Sequence, residues 1–342
     1  MNFNKPKTCR IAVLLIISVL TCALFSGCAK DKSSELTKIK VSEVTHSVFY
    51  APQYVAMSQG FFEEEGILVE LISGEGADKV MTSVVSGAVD IGFSGPEAAI
   101  YIYNEGRNDY AKVFAQVTQR DGSFLVAREP DESFTWDKLR GAHLLPGRKG
   151  GVPYMALEYV VKNAGFVPGV DVNFDNSIQF AAMAGAFLGG TGDFVTVFEP
   201  TASSIEAEGK GYIVASVGAA AGEIPYTAYY ALDSFIKKNP EIIQGFTNAI
   251  AKAEKWVAEH TASEIANSVR SAFHDTDIKL LTSAIENYKA IDAYSGTPVM
   301  TGDAFNRLQT VMKEAGELSQ TAPYADIVDN SFAEKAVAGL KY

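Results

Sequence analysis

Gly87-Ala88-Val89-Asp90-Ile91-Gly92-Phe93-Ser94-Gly95-Pro96-Glu97-Ala98-Ala99 is echoed by Gly190-Thr191-Gly192-Asp193-Phe194-Val195-Thr196-Val197-Phe198-Glu199-Pro200-Thr201-Ala202, with one extra residue before the second proline. Each version reads as a glycine that caps a helix, a short apolar strand, and a proline that opens the next helix. Proline suits a first helical turn because the N–H it lacks would be unpaired there anyway. A third stretch follows the same plan: residues 142 to 145 as strand, Gly147-Arg148-Lys149-Gly150-Gly151 as loop, and Pro153 at the start of a helix that runs to Asn163 and is capped by Gly165. Strand, glycine loop and proline-opened helix in succession are the signature of α/β layering.

Outward from these units the alternation continues. Residues 40 to 45 read as a strand and 51 to 60 as a helix whose Tyr54, Val55 and Met57 face inward. Gly66 turns the chain into a strand at 67 to 72, and a helix at 78 to 86 carries Val80, Met81, Val84 and Val85 at helical spacing. Strands at 90 to 93 and 111 to 118 follow, with 124 to 127 as a crossing strand. A second lobe spans about 128 to 222, and residues 224 to 231 form an extended return. Residues 234 to 342 are nearly all amphipathic helix, with caps at Asn239-Pro240 and Thr301-Gly302. The expected division is therefore 38–127 for the first part of lobe 1, 128–222 for lobe 2 and 223–342 for the return strand and a helical tail packed on lobe 1. Two doubly wound sheets would be joined by two hinge strands, near residues 124 to 128 and 222 to 230.

The N-terminus reads differently. Lys5, Lys7 and Arg10 precede an apolar run from residue 11 to 24, and Phe25-Ser26-Gly27-Cys28 ends it with small residues, as a secretion signal does. The run is shorter than the roughly 20 apolar residues of a membrane-spanning helix. The small-small-Cys ending resembles the bacterial lipoprotein processing site, which implies a signal peptide at 1–27, acylation (palmitate) of Cys28, and a polar tether at 28–37; the alternative is an ordinary signal cut near Cys28. Cleavage removes three positive charges and no negative one from a formal net charge of −12, leaving −15, which makes nucleic acid an unsuitable partner. Cys9 and Cys22 leave with the signal, so packing alone holds the fold. About 315 residues at 47% hydrophobic content exceed one typical core and call for two lobes. The four histidines, His46, His143, His260 and His274, stand without cysteine or carboxylate partners at ligand spacing, so no metal site is expected.

Helix starts leave backbone N–H groups unpaired and carry partial positive charge, and in open α/β sheets they sit at the carboxyl ends of strands, where ligands bind. Two facing lobes would place Ser94-Gly95-Pro96 and Arg148-Lys149-Gly150-Gly151 on opposite walls of one cleft. Rings would supply the rest of a small-molecule pocket. Candidates are Phe49, Tyr50, Phe180, Phe198, Tyr226 and Tyr229, with His46 and Ser47 in the loop after the first strand. Glu97, Glu199 and Asp121 could accept bonds from a ligand amine; Arg148, Lys149 and Arg120 could pair with an anion, or Arg120 and Asp121 could bridge each other.

Ser47-Val48-Phe49-Tyr50-Ala51-Pro52-Gln53-Tyr54-Val55-Ala56, Gly60-Phe61-Phe62-Glu63-Glu64-Glu65-Gly66, the stretch 87 to 92 and Phe198-Glu199-Pro200 together resemble the nitrate/taurine/sulfonate and thiamine-pyrimidine-precursor family of ABC-transporter substrate-binding proteins. Phe198 departs from the Trp frequent before Glu-Pro there. The resemblance spans residues 38 to 335. It implies a type II periplasmic-binding-protein fold, ligand closure between lobes, and delivery to a permease driven by a separate ATPase, from a lipid-anchored monomer on the outer face of the cell membrane. It also carries over the loops at 46–50, 74–77 (Glu75, Gly76), 94–97, 148–151 and residue 199 as ligand contacts. No cofactor is implied. The ligand is either a pyrimidine-like heterocycle or aromatic acid, or a sulfonate-, nitrate- or taurine-type anion. Two other readings stay open: a pyridoxal-phosphate-dependent pyrimidine synthase on the same fold, for which Lys149 is the one loop lysine, and a surface sensor or adhesin. No Gly-x-Ser-x-Gly elbow, Cys-His pair or paired His ligands support a catalytic set.

Overall fold

The repeated stretches become the third strands of two sheets built to one plan. The computed structural model describes residues 35 to 340 together with Met1; residues 2–34, which hold nearly all of the expected signal segment, Cys28 and most of the expected tether, lie outside the described residues. Ten strands are described: β1 Thr37–Glu43, β2 Ile67–Ser73, β3 Ile91–Ser94, β4 Ala111–Thr118, β5 Ser123–Ala127, β6 His143–Leu145, β7 Asn173–Phe174, β8 Phe194–Phe198, β9 Tyr212–Ser216 and β10 Thr227–Leu232. The first sheet has the order β2-β1-β3-β10-β4 and the second β7-β6-β8-β5-β9. In each, a second, first and third strand run parallel, and an antiparallel strand from the far side of a crossing sits before the fourth. The quoted repeat thus matches like with like, β3 with β8.

The crossings lie where the chain is not apolar enough to be strand. The expected first boundary at residue 127 is corrected: β5 pairs with β8 from Ser123↔Phe198 to Ala127↔Phe194 and with β9, so it is a central strand of the second sheet. All five of its residues are buried, as suits a strand covered on both faces. The first crossing is therefore residues 119 to 122, and the second is 222 to 226, since β10 pairs with β3 and β4. Thr37 is already in β1, three residues ahead of the strand expected at 40.

Helices follow the parallel strands, and proline opens two of them, Ala51–Ser58 and Val152–Asn163. In the tail, helix Pro240–Glu259 packs on helix Ala51–Ser58 and on β4, with helix Ser331–Gly339 beside it. The tail also reaches the second lobe. Helix Ile278–Ala290 touches both the turn Val48–Tyr50 and helix Thr201–Ala207, and helix Gly302–Glu314 packs on helix Val152–Asn163. Residues from Leu36 onward form one compact unit. Among the described residues no helix is long and apolar enough to cross a membrane.

Candidate functional site

The carboxyl ends of β1, β3 and β8 and both crossings meet at one junction, where rings from the two lobes interlock. Ser47 starts it by accepting the Phe49 N–H at 3.2 Å, which caps the turn Val48–Tyr50. Phe49 then stands 5.9 Å from Phe198, 5.4 Å from Tyr226 and 4.8 Å from Tyr288, ring centre to ring centre. Tyr50 packs at 4.8 Å on Phe93, and both Phe49 and Tyr50 are buried. Gly122 is in the first crossing because nothing larger fits: a Cβ there would lie 2.8 Å from the Phe49 ring and 3.0 Å from the Phe198 ring.

Two carboxyl groups are buried in this junction. Glu97 opens helix Glu97–Asn104 and folds back over Gly95, where a Cβ would collide with its carboxyl, and onto its own backbone N–H. Its Oε2 is buried and has no hydrogen-bond partner among the described residues. Burial pushes this group up to about 7, against the pull of its backbone bond and of Arg148. Asp121, in the first crossing, accepts from the Ser123 N–H at 2.8 Å and from the Ser123 hydroxyl through Oδ1. Its Oδ2 is likewise buried without a partner. Burial lifts Asp121 to about 7, opposed by the Ser123 bonds and the neighbouring Tyr226 hydroxyl. Tyr226 is buried, which holds its hydroxyl protonated, and the charges of Asp121 and Glu97 act in the same direction. Arg120 does not bridge to Asp121; its guanidinium lies 3.7 Å from Asp292.

Glu199 takes a different part from the ligand contact expected of it. Its Oε2 accepts the Ser203 N–H at 2.9 Å, and Oε1 accepts the Ser203 hydroxyl at 2.8 Å and Asn287 Nδ2 at 2.5 Å. The Glu199 N–H donates to the Tyr288 hydroxyl at 3.0 Å. Both carboxylate oxygens are thus occupied, capping helix Thr201–Ala207 and fastening the second lobe to helix Ile278–Ala290. The helix starts after β3 and β8, expected to attract an anion, each already hold a carboxyl group of the chain.

Other expected contacts disperse. His46 turns to the tail, with Nε2 donating to the Ala272 carbonyl at 2.8 Å and its ring stacked on Phe273 at 4.5 Å. Glu75 points to solvent and pairs with Lys79 at 3.2 Å, while Gly76 precedes helix Ala77–Val85. Ser94 is buried and bonds the Tyr230 hydroxyl at 2.7 Å. Arg148 and Lys149 are exposed, Gly150 lies near Glu317, and Gly151 precedes helix Val152–Asn163. An exposed Lys149 gives no support to a lysine-bound cofactor. Phe180 lies in the turn Phe180–Ala182, its side chain outside the described set.

Sequence reading missed a polar chain beneath the junction. Tyr229 donates to Gln53 Oε1 at 2.8 Å, and Gln53 Nε2 and the Tyr54 hydroxyl each donate to Glu43 Oε2 at 2.7 Å. Glu43 ends β1 and is buried, which raises its pKa against those bonds. Its place at a strand's carboxyl end was the available signal. Two surface grooves lie away from the ring cluster. One of about 540 Å³ is formed by tail helices around Gln244 and Phe332, and one of about 290 Å³ runs between Thr201 and Asp277. The first meets no expected contact, and the second skirts the Glu199 cap. Among the described residues no group of three His, Cys, Asp or Glu could hold a metal ion.

A sequence model described as the NMT1-like family matches residues 33–270. A Bacillus subtilis (strain 168) protein named "Putative binding protein YtlA" is 43% identical over 329 residues, covering 96% of this chain and 98% of its own. Among solved structures, the ligand binding component of an ABC-type import system from Staphylococcus aureus, with zinc bound, superposes with a TM-score of 0.70 at 15% identity, over 88% of this chain and 99% of that one. The alkanesulfonate-binding protein SsuA from Xanthomonas axonopodis pv. citri, bound to MOPS, superposes with a TM-score of 0.68 at 12% identity, over 87% and 100%. Identities this low establish a shared two-lobed fold.

Proposed function

Because the chain belongs to the NMT1-like family, we propose that it is the ligand-capturing component of an ABC importer, holding a small organic molecule between its lobes and passing it to a permease driven by a separate ATPase. The observation that carries the reading is the junction itself. Rings from both lobes and two buried carboxyl groups with unpartnered oxygens converge where the strands of both sheets end. Rings offer stacking surface and carboxyl oxygens accept hydrogen bonds, so the site suits a flat heterocycle with N–H donors, such as a pyrimidine-like compound. A sulfonate, nitrate or taurine-type anion fits it less well, because two helix starts are filled by Glu97 and Glu199 and the nearby Arg148 is exposed. Lobe closure about the crossings at 119–122 and 222–226 would enclose the guest. Cys28 would be acylated and would hold the monomer on the outer face of the membrane.

Native mass spectrometry of protein purified without stripping tests this reading, alongside solution scattering of stripped and reloaded protein. A bound small molecule, and a more compact profile on reloading, are the expected results. A bare mass together with a profile that no added compound changes would remove the proposal.

A further inference from the structure

Resting on the reading that the two lobes open and close, we infer that the C-terminal tail is a working part of the hinge. Residues 292–298 form its third strand, and the helices before and after that strand are two clasps on the second lobe that let go together when the lobes part.

Backbone hydrogen bonds lay the strand down. The Gln119 N–H, at the start of the first crossing, donates to the Ala293 carbonyl at 2.9 Å, the Ser295 N–H to the Val117 carbonyl at 2.8 Å, and the Gln116 N–H to the Pro298 carbonyl at 2.9 Å. The same stretch holds the second crossing, since the Ile224 and Tyr226 N–H groups donate to the Gln119 and Thr118 carbonyls at 2.9 and 3.0 Å. Three chain segments therefore run together where two were expected. Asp292 turns the chain into the third with a left-handed φ of 55°, a conformation Asp tolerates better than most residues. Its carboxylate lies 3.7 Å from Arg120 in the first crossing. Ala293, Tyr294 and Ser295 are buried, which keeps water from these bonds.

Each flanking helix reaches the second lobe. On helix Ile278–Ala290, Asn287 Nδ2 donates to Glu199 Oε1 at 2.5 Å and the Tyr288 hydroxyl accepts the Glu199 N–H at 3.0 Å. Helix Gly302–Glu314 lies on the second crossing, where Arg307 Nη1 is 2.8 Å from the place of a Cβ on Gly222. The Glu314 carbonyl at its end accepts Lys162 Nζ at 2.6 Å. Lys162 belongs to helix Val152–Asn163, which packs on helix Val217–Ala221, whereas Glu199 caps helix Thr201–Ala207, which packs on β8 and β9. The clasps grip separate parts of the second lobe, through a tail whose middle is bonded to the hinge.

Magnitudes decide which contacts yield. Asn287 and Lys162 are half-buried, so water replaces their bonds at small net cost, whereas parting the third strand would leave buried backbone groups unpaired. Rotation of the lobes therefore releases the clasps and spares the strand. Because one rotation breaks both clasps, weakening either raises the open population seen at the other. Removing one such bond shifts that population about fivefold.

Amide hydrogen exchange and solution scattering of ligand-stripped protein test this. The Glu199 N–H reports the first clasp. Lys162→Met removes the second clasp, on a different helix, and should speed Glu199 exchange about fivefold. Adding Asn287→Ala should bring the gain to about 25-fold, with a radius of gyration above the ~20 Å of a compact chain of ~315 residues. The Gln116, Gln119 and Ser295 amides should keep their wild-type rates. Glu158→Gln removes the 3.0 Å ion pair that Lys162 makes within its own helix, leaves the clasp in place, and should not move Glu199 exchange. An unchanged Glu199 rate in Lys162→Met, an equal rise in Glu158→Gln, or Gln116, Gln119 and Ser295 exchanging faster in step with Glu199 would each overturn the inference. The last would mean that the tail peels away whole. Capture of a guest is decided separately by the native mass, so either result can fail without the other.

Discussion

Raising the pH should unfold this protein more easily over a range where most proteins are indifferent. An unfolded Glu releases its proton near 4.5 and an unfolded Asp near 3.8, whereas folded Glu97 and Asp121 hold theirs to about 7. Between those limits the unfolded chain binds fewer protons than the native one, so stability falls as pH rises, by about 1.4 kcal/mol per pH unit for each group. Across the window this comes to about 3 kcal/mol for Glu97 and about 4 kcal/mol for Asp121. The raised Glu43 and Glu254 act with the same sign. Asp175, held down to about 2 by Ser177 and His143, gains its effect below pH 4 and does not offset them. Ligand-free protein should therefore be most stable near pH 4, between the Asp175 loss below and the Glu97 and Asp121 loss above. Urea unfolding at constant ionic strength from pH 5 to pH 8 measures the slope, and the double variant Glu97→Gln/Asp121→Asn should lose more than half of it. A wild-type midpoint that climbs toward pH 8, or a double variant with the full wild-type slope, would refute the reasoning.

Two further changes probe the packing around this site. Gly122→Ala places a methyl group against the Phe49 and Phe198 rings, an overpacking that costs about 1–3 kcal/mol; solution scattering should show lobes further apart than in wild type, and an identical profile would mean the rings yield freely. Glu254, on the inner face of helix Pro240–Glu259, is buried with neither oxygen bonded, so Glu254→Leu should raise stability at pH 7 by about 1–3 kcal/mol in urea unfolding, with a loss counting against a purely structural burial.

Much of the architecture was legible because it is locally written. The glycine, strand and proline pattern at 87–99 and 190–202 sits at equivalent strands of the two sheets, β3 and β8. The run 123 to 127 misled because an apolar stretch reads equally as a crossing or a central strand, and its neighbours β8 and β9 are some 70 to 90 residues away. The short β7 and the half-buried β9 gave too little alternation to notice. At the candidate site, Phe49, Tyr50 and Tyr226 lie together in the junction, and rings near strand ends are conspicuous in a sequence. Glu199 was assigned to a ligand because its partners Asn287 and Tyr288 belong to a tail helix that periodicity describes but does not dock. Glu97 lies in a first helical turn, where a carboxyl group satisfies its own helix, and this reading was available from the sequence.

The same carboxyl groups give a physical reason for binding and closure to be coupled. Two sets of contacts favour the closed form without a guest: the Phe49–Phe198 edge contact, and the Glu199 bonds to Asn287 and Tyr288. Against them stands the burial of Glu97 and Asp121, which open lobes would leave hydrated and ionised at neutral pH. Shifting a two-state balance from 1:99 to 99:1 takes about 5.5 kcal/mol. The burial of these two groups, at about 3 and 4 kcal/mol, is of that size. A guest that donates to either carboxyl group offsets that opposition only when the lobes are shut, since in the open form water would serve the same groups. A guest's leverage on closure then rests on the contacts it makes only with the lobes shut, as any shift between two states requires.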